Sequence, residues 1–158
     1  MKWVALLLLM LVISTAQAGS GKSTKPENVV WKEECGSCHL AYPPEMLSSE
    51  SWQQLMGRLD KHFGANAVLD AKDGKLIQDF LVRNAGRGVL YSSASSRISD
   101  TPWFKHEHRS VSAKEWVNPQ VESVSNCLAC HGNGGHVLWS EHDIQIDGTK
   151  VQKNHKHG

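Results

Sequence analysis

Cys35-Gly-Ser-Cys38-His39 and Cys127-Leu-Ala-Cys130-His131 together use all four cysteines of a 158-residue chain. Cys-x-x-Cys-His is the spacing that attaches a c-type haem. The two thiols add across the haem vinyl groups, and the adjacent histidine reaches the iron from the same side. The expectation is therefore two covalent haems c, held by Cys35, Cys38, Cys127 and Cys130, with His39 and His131 as proximal iron ligands. Cys-x-x-Cys alone also serves zinc or thiol–disulfide exchange, and two pairs 92 residues apart could share one zinc. Both pairs carry the following histidine, no cysteine is left over, and the chain begins with an export signal. Those three facts set the zinc and disulfide readings aside.

The export signal covers residues 1–18. Lys2 supplies its positive end, Trp3 to Ile13 forms an apolar run too short to span a bilayer, and Ala16-Gln17-Ala18 is an A-x-A cleavage site. Thioether attachment takes place outside the bacterial cytoplasmic membrane, so this chemistry requires a periplasmic destination. Cleavage would leave 140 residues, enough for one domain, and would take the formal charge from +1 to zero because Lys2 is the only charge removed. No basic field points to nucleic acid, and no second apolar run suggests a membrane span. The remaining chain is short of aliphatic residues, as expected if haems form much of the core. A small, irregular, mostly helical protein is predicted, with its domain over 19–148 and a polar, His-rich C-terminal tail over 149–158.

Along the chain, Gly19 to Asn28 reads as a polar leader, and Tyr42-Pro43-Pro44 as extended backbone. Trp52, Leu55, Met56, Leu59 and Phe63 recur with helical spacing, predicting a helix over 51–63 with Gly64 as its C-cap and His62 on the edge of the apolar stripe. Asp70 is an N-cap candidate for a second helix to about Asn84, with Leu76, Ile77, Phe80 and Leu81 inward. Gly86 to Ser96 reads as a loop. Thr101-Pro102 begins a short helix through about His108, Ser112-Ala-Lys-Glu115 fits a capping box, and a final helix holds the second haem motif. Asp143 to Ile146 alternates weakly, as a short strand or an extended tail would. The two motifs share no wider repeat.

The sixth iron position decides function, because a methionine ligand raises the potential and a second histidine lowers it. After cleavage only Met46 and Met56 remain, both well before the second motif, and Met56 lies in an apolar stripe that reads as core. The histidines left over are His62, His106, His108, His136, His142, His155 and His157. His155 and His157 lie in the polar tail, while His136 and His142 follow the second motif. His62, on a predicted apolar stripe, suits an iron ligand. His106 and His108 sit in Trp103-Phe104-Lys105-His106-Glu107-His108, and helical phase does not choose between them.

At Glu34-Cys-Gly-Ser-Cys-His-Leu-Ala-Tyr-Pro-Pro44, His62-Phe63-Gly64, Arg97-Ile-Ser-Asp-Thr-Pro-Trp-Phe104, Glu107-His108 and Asn126-Cys-Leu-Ala-Cys-His131, the chain resembles the dihaem cytochrome c family of small bacterial electron-transfer proteins. The resemblance implies two haems, each with two histidine ligands. Carried onto this sequence, it marks His62 and His108 as distal ligands, paired with haem 1 and haem 2. It also implies redox partners: a membrane b-type cytochrome as donor and a small oxygen-binding c-type haem protein as acceptor. His106 is a departure that leaves a neighbouring substitute for His108.

The expected function is periplasmic transfer of single electrons through two six-coordinate bis-His haems, not enzyme catalysis. The rival is a haem enzyme or ligand-binding cytochrome with one open iron position, reactive toward peroxide, oxygen or nitrite. Arg58, Arg97 and Arg109 are candidates for haem propionates, but plain surface charge is the better reading of each.

Overall fold

A computed structural model describes residues 27–133, together with 136, 137, 139, 144–146, 149 and 150. The expected signal peptide, most of the leader and most of the His-rich tail lie outside the described residues. The described residues hold six α-helices, with short 3-10 turns in the connections from α1 to α4: α1 Glu27–Cys35, α2 Ser49–Met56, α3 Ala71–Arg83, α4 Pro102–Glu107, α5 Ala113–Trp116 and α6 Leu128–His131. Two antiparallel pairs of two-residue strands follow, β1 Gly132–Asn133 with β2 His136–Val137, and β3 Gln145–Ile146 with β4 Thr149–Lys150. Thr149 and Lys150, the first two residues of the expected tail, pair with Ile146 and Gln145.

The aliphatic core lies in the first half. Val30 and Trp31 of α1, Leu47, Trp52 of α2, and Ile77 and Leu81 of α3 form one buried cluster. Trp31 packs on Phe80 with ring centroids 5.3 Å apart. The Trp52 indole N–H donates to the Pro44 carbonyl at 2.6 Å, which satisfies its polar edge within the core. Beyond α3 the buried hydrophobic residues thin to Phe104, Val121 and Ile146.

Local chemistry explains most helix starts. The Asp70 carboxylate accepts from the backbone N–H of Lys72 and Asp73, so α3 starts where its cap predicts. Thr101, fully buried, accepts from Phe104 N–H and is followed by Pro102 at the first helical position. Ser112 accepts from Glu115 N–H at 3.4 Å. Pro43 is extended, as the proline pair requires.

Three expectations need correction. The helix expected over 51–63 begins at Ser49 and ends at Met56, with Gly57 as its C-cap. Arg58 then leaves the helical region, Leu59–Lys61 forms a 3-10 turn, and Phe63 and Gly64 both take positive φ. His62 therefore stands in a tight turn rather than on a helix face. Second, Glu27 and Asn28, expected at the end of the leader, open a true helix, since α1 starts at Glu27 and carries Cys35 at its end. Third, the loop expected over 86–96 contains a 3-10 turn, Val89–Tyr91.

That turn fastens α4 to the core. Gly86 N–H donates to Leu47 O and Ser48 N–H to Tyr91 O, both at 2.8 Å, and Tyr91 stacks on Trp103 at 5.7 Å. A Cβ on Gly86 would collide with the Glu45 carbonyl and stand 2.6 Å from the Tyr91 ring. Gly86→Ala is expected to lower stability by roughly 1–3 kcal/mol through overpacking. Urea denaturation of the haem-loaded protein checks this, and an unchanged midpoint would contradict it.

Candidate haem-iron sites

At the first site, α1 carries Cys35 to its C-terminal end, and Gly36 N–H closes the last turn onto Lys32 O at 3.0 Å. A Cβ at Gly36 would strike that same Lys32 carbonyl, so a glycine suits this position of the motif. The chain then turns, leaving Cys38 and His39 exposed. His39 Nδ1 lies 2.7 Å from Leu40 O. A carbonyl only accepts, so Nδ1 carries the proton and Nε2 keeps its lone pair.

His62 faces His39 from the Leu59–Gly64 turn. Their ring centroids are 6.0 Å apart and the planes differ by 18°. The turn is held by Phe63, which has φ +50, an uncommon region for a bulky residue. The Arg97 guanidinium lies 4.1 Å above the Phe63 ring, and Phe63 leans on His62 at 5.0 Å. Burial first, then the charges of His39 and Arg97, hold His62 below the usual imidazole range. It is the neutral, lone-pair-bearing imidazole that faces His39 at neutral pH.

At the second site, α6 places the motif on one helical turn. Cys130 N–H and His131 N–H both donate to Cys127 O, so Cys127, Cys130 and His131 share one side. They line a cavity of about 390 Å³ together with His108, Trp116 and Trp139. His108 caps the end of α4, and its ring centroid is 6.1 Å from that of His131, with planes at 78°. His108 Nδ1 lies 2.9 Å from Phe104 O, which again leaves Nε2 with the lone pair. Phe104 stacks on His108 at 4.0 Å. Burial is the main influence lowering the His108 pKa, only partly offset by the Phe104 carbonyl, so this imidazole too is neutral near pH 7.

His106, by contrast, is exposed on the outer side of α4. His136 contributes backbone to β2, paired with Asn133. Met46 is buried and lines the second cavity, and Met56 packs against the aliphatic cluster as its spacing suggested. Arg109 donates to His106 O at 2.6 Å, and Arg97 is taken up by Phe63. The sequence marks Phe63 only as an apolar helix residue and Tyr42 only as extended backbone, and it does not mark Trp116 or Trp139. A Trp or Tyr close to a Cys-x-x-Cys-His motif was the available signal.

The surroundings of three cysteines disfavour thiol–disulfide exchange. Burial, then the Glu34 charge, pushes the Cys35 thiol up to about 11. Burial also raises Cys127 and Cys130. A redox-active Cys-x-x-Cys needs a lowered thiol pKa, the opposite of this environment. Among the described residues, no group of three or more His, Cys, Asp or Glu side chains is arranged to hold a metal ion on its own. What the sites offer instead is one imidazole pair each, with thiols beside one member.

Two cysteine pairs, each followed by a histidine that faces a second histidine, define a small c-type cytochrome with two haem centres. The chain belongs to the dihaem cytochrome c family, whose model matches residues 31–138. It is similar to the diheme cytochrome type c from Shewanella baltica OS155, at 30% identity and TM-score 0.68 over 80% of this chain and 98% of that one. It is also similar to the DHC purified from Rhodobacter sphaeroides, at 38% identity and TM-score 0.58 over 68% and 92% of the two chains. A second structure of the diheme cytochrome c from Rhodobacter sphaeroides matches at 38% identity and TM-score 0.57, over 74% and 98%. No match is found among curated proteins. The family carries two covalently attached c-type haems, and the pairs Cys35/Cys38 and Cys127/Cys130 are the attachment motifs in this chain. Haem-based electron transfer with redox partners is the family's activity. No helix among the described residues is long and apolar enough to cross a membrane.

Proposed function

We propose that this chain is a periplasmic electron carrier holding each haem iron between two histidines, His39 and His62 at haem 1, and His131 and His108 at haem 2. The observation that carries this reading is the pair of imidazole separations, 6.0 Å and 6.1 Å. A metal–imidazole bond of ~2.0 Å plus ~1.1 Å from nitrogen to ring centre puts two imidazoles on opposite sides of one iron ~6.2 Å apart. Both sites meet that spacing, although one lies on a turn and the other at a helix end.

Bound haem supplies a one-electron couple whose potential depends on axial ligation, burial and hydrogen bonding. The rest is the work of protein groups. Leu40 O and Phe104 O fix the tautomers of His39 and His108, leaving Nε2 to bind iron. Phe63 and Arg97 hold His62 in place, and Phe104 and Trp116 pack around His108. With both axial positions filled by protein, small molecules are kept from the metal, and ferric and ferrous states need little rearrangement. That suits a carrier rather than an enzyme. Residues 1–18 direct export to the periplasm. A membrane b-type cytochrome is the proposed donor and a small c-type haem protein the proposed acceptor.

Carbon monoxide tests this reading. The reduced haem-loaded protein is expected to bind none, and His62→Ala is expected to bind one molecule per chain, at haem 1 only. CO binding by the unsubstituted protein would instead favour an open iron and ligand-binding or catalytic chemistry.

A further inference from the structure

The two sites are joined by one side chain. The Tyr42 ring lies 4.9 Å from that of His39, with planes 21° apart. Its hydroxyl donates to Ser125 O at 2.6 Å, across 83 residues of sequence. Ser125 stands two residues before Cys127, an attachment point of haem 2. The segment continuing from Tyr42 is also a wall of the second cavity, through Pro43, Glu45 and Met46. So the residues that leave the first motif build part of the second site.

We propose that Tyr42 is the bridge for electron exchange between the two haems, its ring contacting the His39 ligand of haem 1 and its hydroxyl contacting the backbone that leads into Cys127. Electrons tunnel more readily along bonds and hydrogen bonds than across gaps. The path is His39 ring, Tyr42 ring, O–H···O, Ser125 carbonyl, then two residues of backbone to the Cys127 thioether. In the exchange one iron goes from ferrous to ferric and the other from ferric to ferrous. One electron moves, no bond forms or breaks, and the phenol keeps its proton throughout. Tyr42 binds neither iron and acts only as the link between His39 and the Ser125 backbone. The inference rests on the His39–His62 and His131–His108 ligation proposed above.

Tyr42→Phe separates the two contacts, since phenylalanine keeps the ring against His39 and loses the hydroxyl on Ser125. The experiment measures intramolecular exchange in half-reduced, haem-loaded protein by NMR exchange spectroscopy, alongside both midpoint potentials and the ferric EPR spectrum. Exchange is expected to slow several-fold in Tyr42→Phe, with potentials and low-spin signals unchanged. An unchanged rate would overturn the proposal. So would a slower rate accompanied by shifted potentials or altered EPR signals, because Tyr42 would then be only a packing element. Failure of the ligation reading would look different, as high-spin haem in the unsubstituted protein.

Discussion

Replacing His108 by alanine is expected to convert one of the two ferric haems from low spin to high spin and to leave the other unchanged. The reason is local. His108 is the imidazole facing His131, at 6.1 Å, and its Nδ1 is engaged by Phe104 O. Removing the ring leaves the iron with His131 and an apolar cavity whose walls include Phe104 and Trp116. His106, the neighbouring candidate in the sequence, is exposed on the far side of α4 and would have to unwind that helix to replace it. Met46 does line the cavity. A thioether-ligated low-spin haem in the variant would therefore identify Met46 as a substitute. Optical and EPR spectra of the oxidised variant provide the check. Two unchanged low-spin haems would refute His108 as a ligand, as would a change confined to haem 1.

Removing the second haem, by Cys127→Ala with Cys130→Ala, is expected to unfold the C-terminal half and spare the first. The aliphatic cluster of Val30, Trp31, Leu47, Trp52, Ile77 and Leu81 belongs to α1, α2 and α3 and their connections. After α3, α4, α5 and α6 are only 6, 4 and 4 residues long, below the length at which an isolated helix holds in water. They converge on the second cavity, so the haem is the hydrophobic surface against which they pack. Amide hydrogen exchange on the one-haem protein should show lost protection over 102–131 and retained protection over 71–83. Native-like protection throughout would show that the C-terminal half folds without haem 2.

What was legible in the sequence was mostly local. The two Cys-x-x-Cys-His motifs, the Asp70 cap and Thr101-Pro102 each encode their geometry within a few residues. The family resemblance, rather than helical phase, separated His108 from His106. Apolar spacing misplaced the end of α2, because Leu59 and Phe63 continue the helical rhythm after the backbone has turned at Gly57 and Arg58. Spacing also cannot signal the positive φ at Phe63, in the turn that carries His62. Helix α1 escaped notice because its two buried residues, Val30 and Trp31, lie among Asn28, Lys32, Glu33 and Glu34. Contacts such as Tyr42 with Ser125 depend on the assembled fold, and no local pattern announces them.

The central claim is that both irons are closed by histidine pairs, and EPR of the oxidised haem-loaded protein, integrated against its haem content, tests it most directly. The imidazole planes differ by 18° at the first site and 78° at the second, so the iron d orbitals are split differently at the two centres. Two low-spin ferric signals of distinct anisotropy, together accounting for all the haem, are predicted. A substantial high-spin signal would mean that one iron has an open position, and would contradict closure by two histidine pairs.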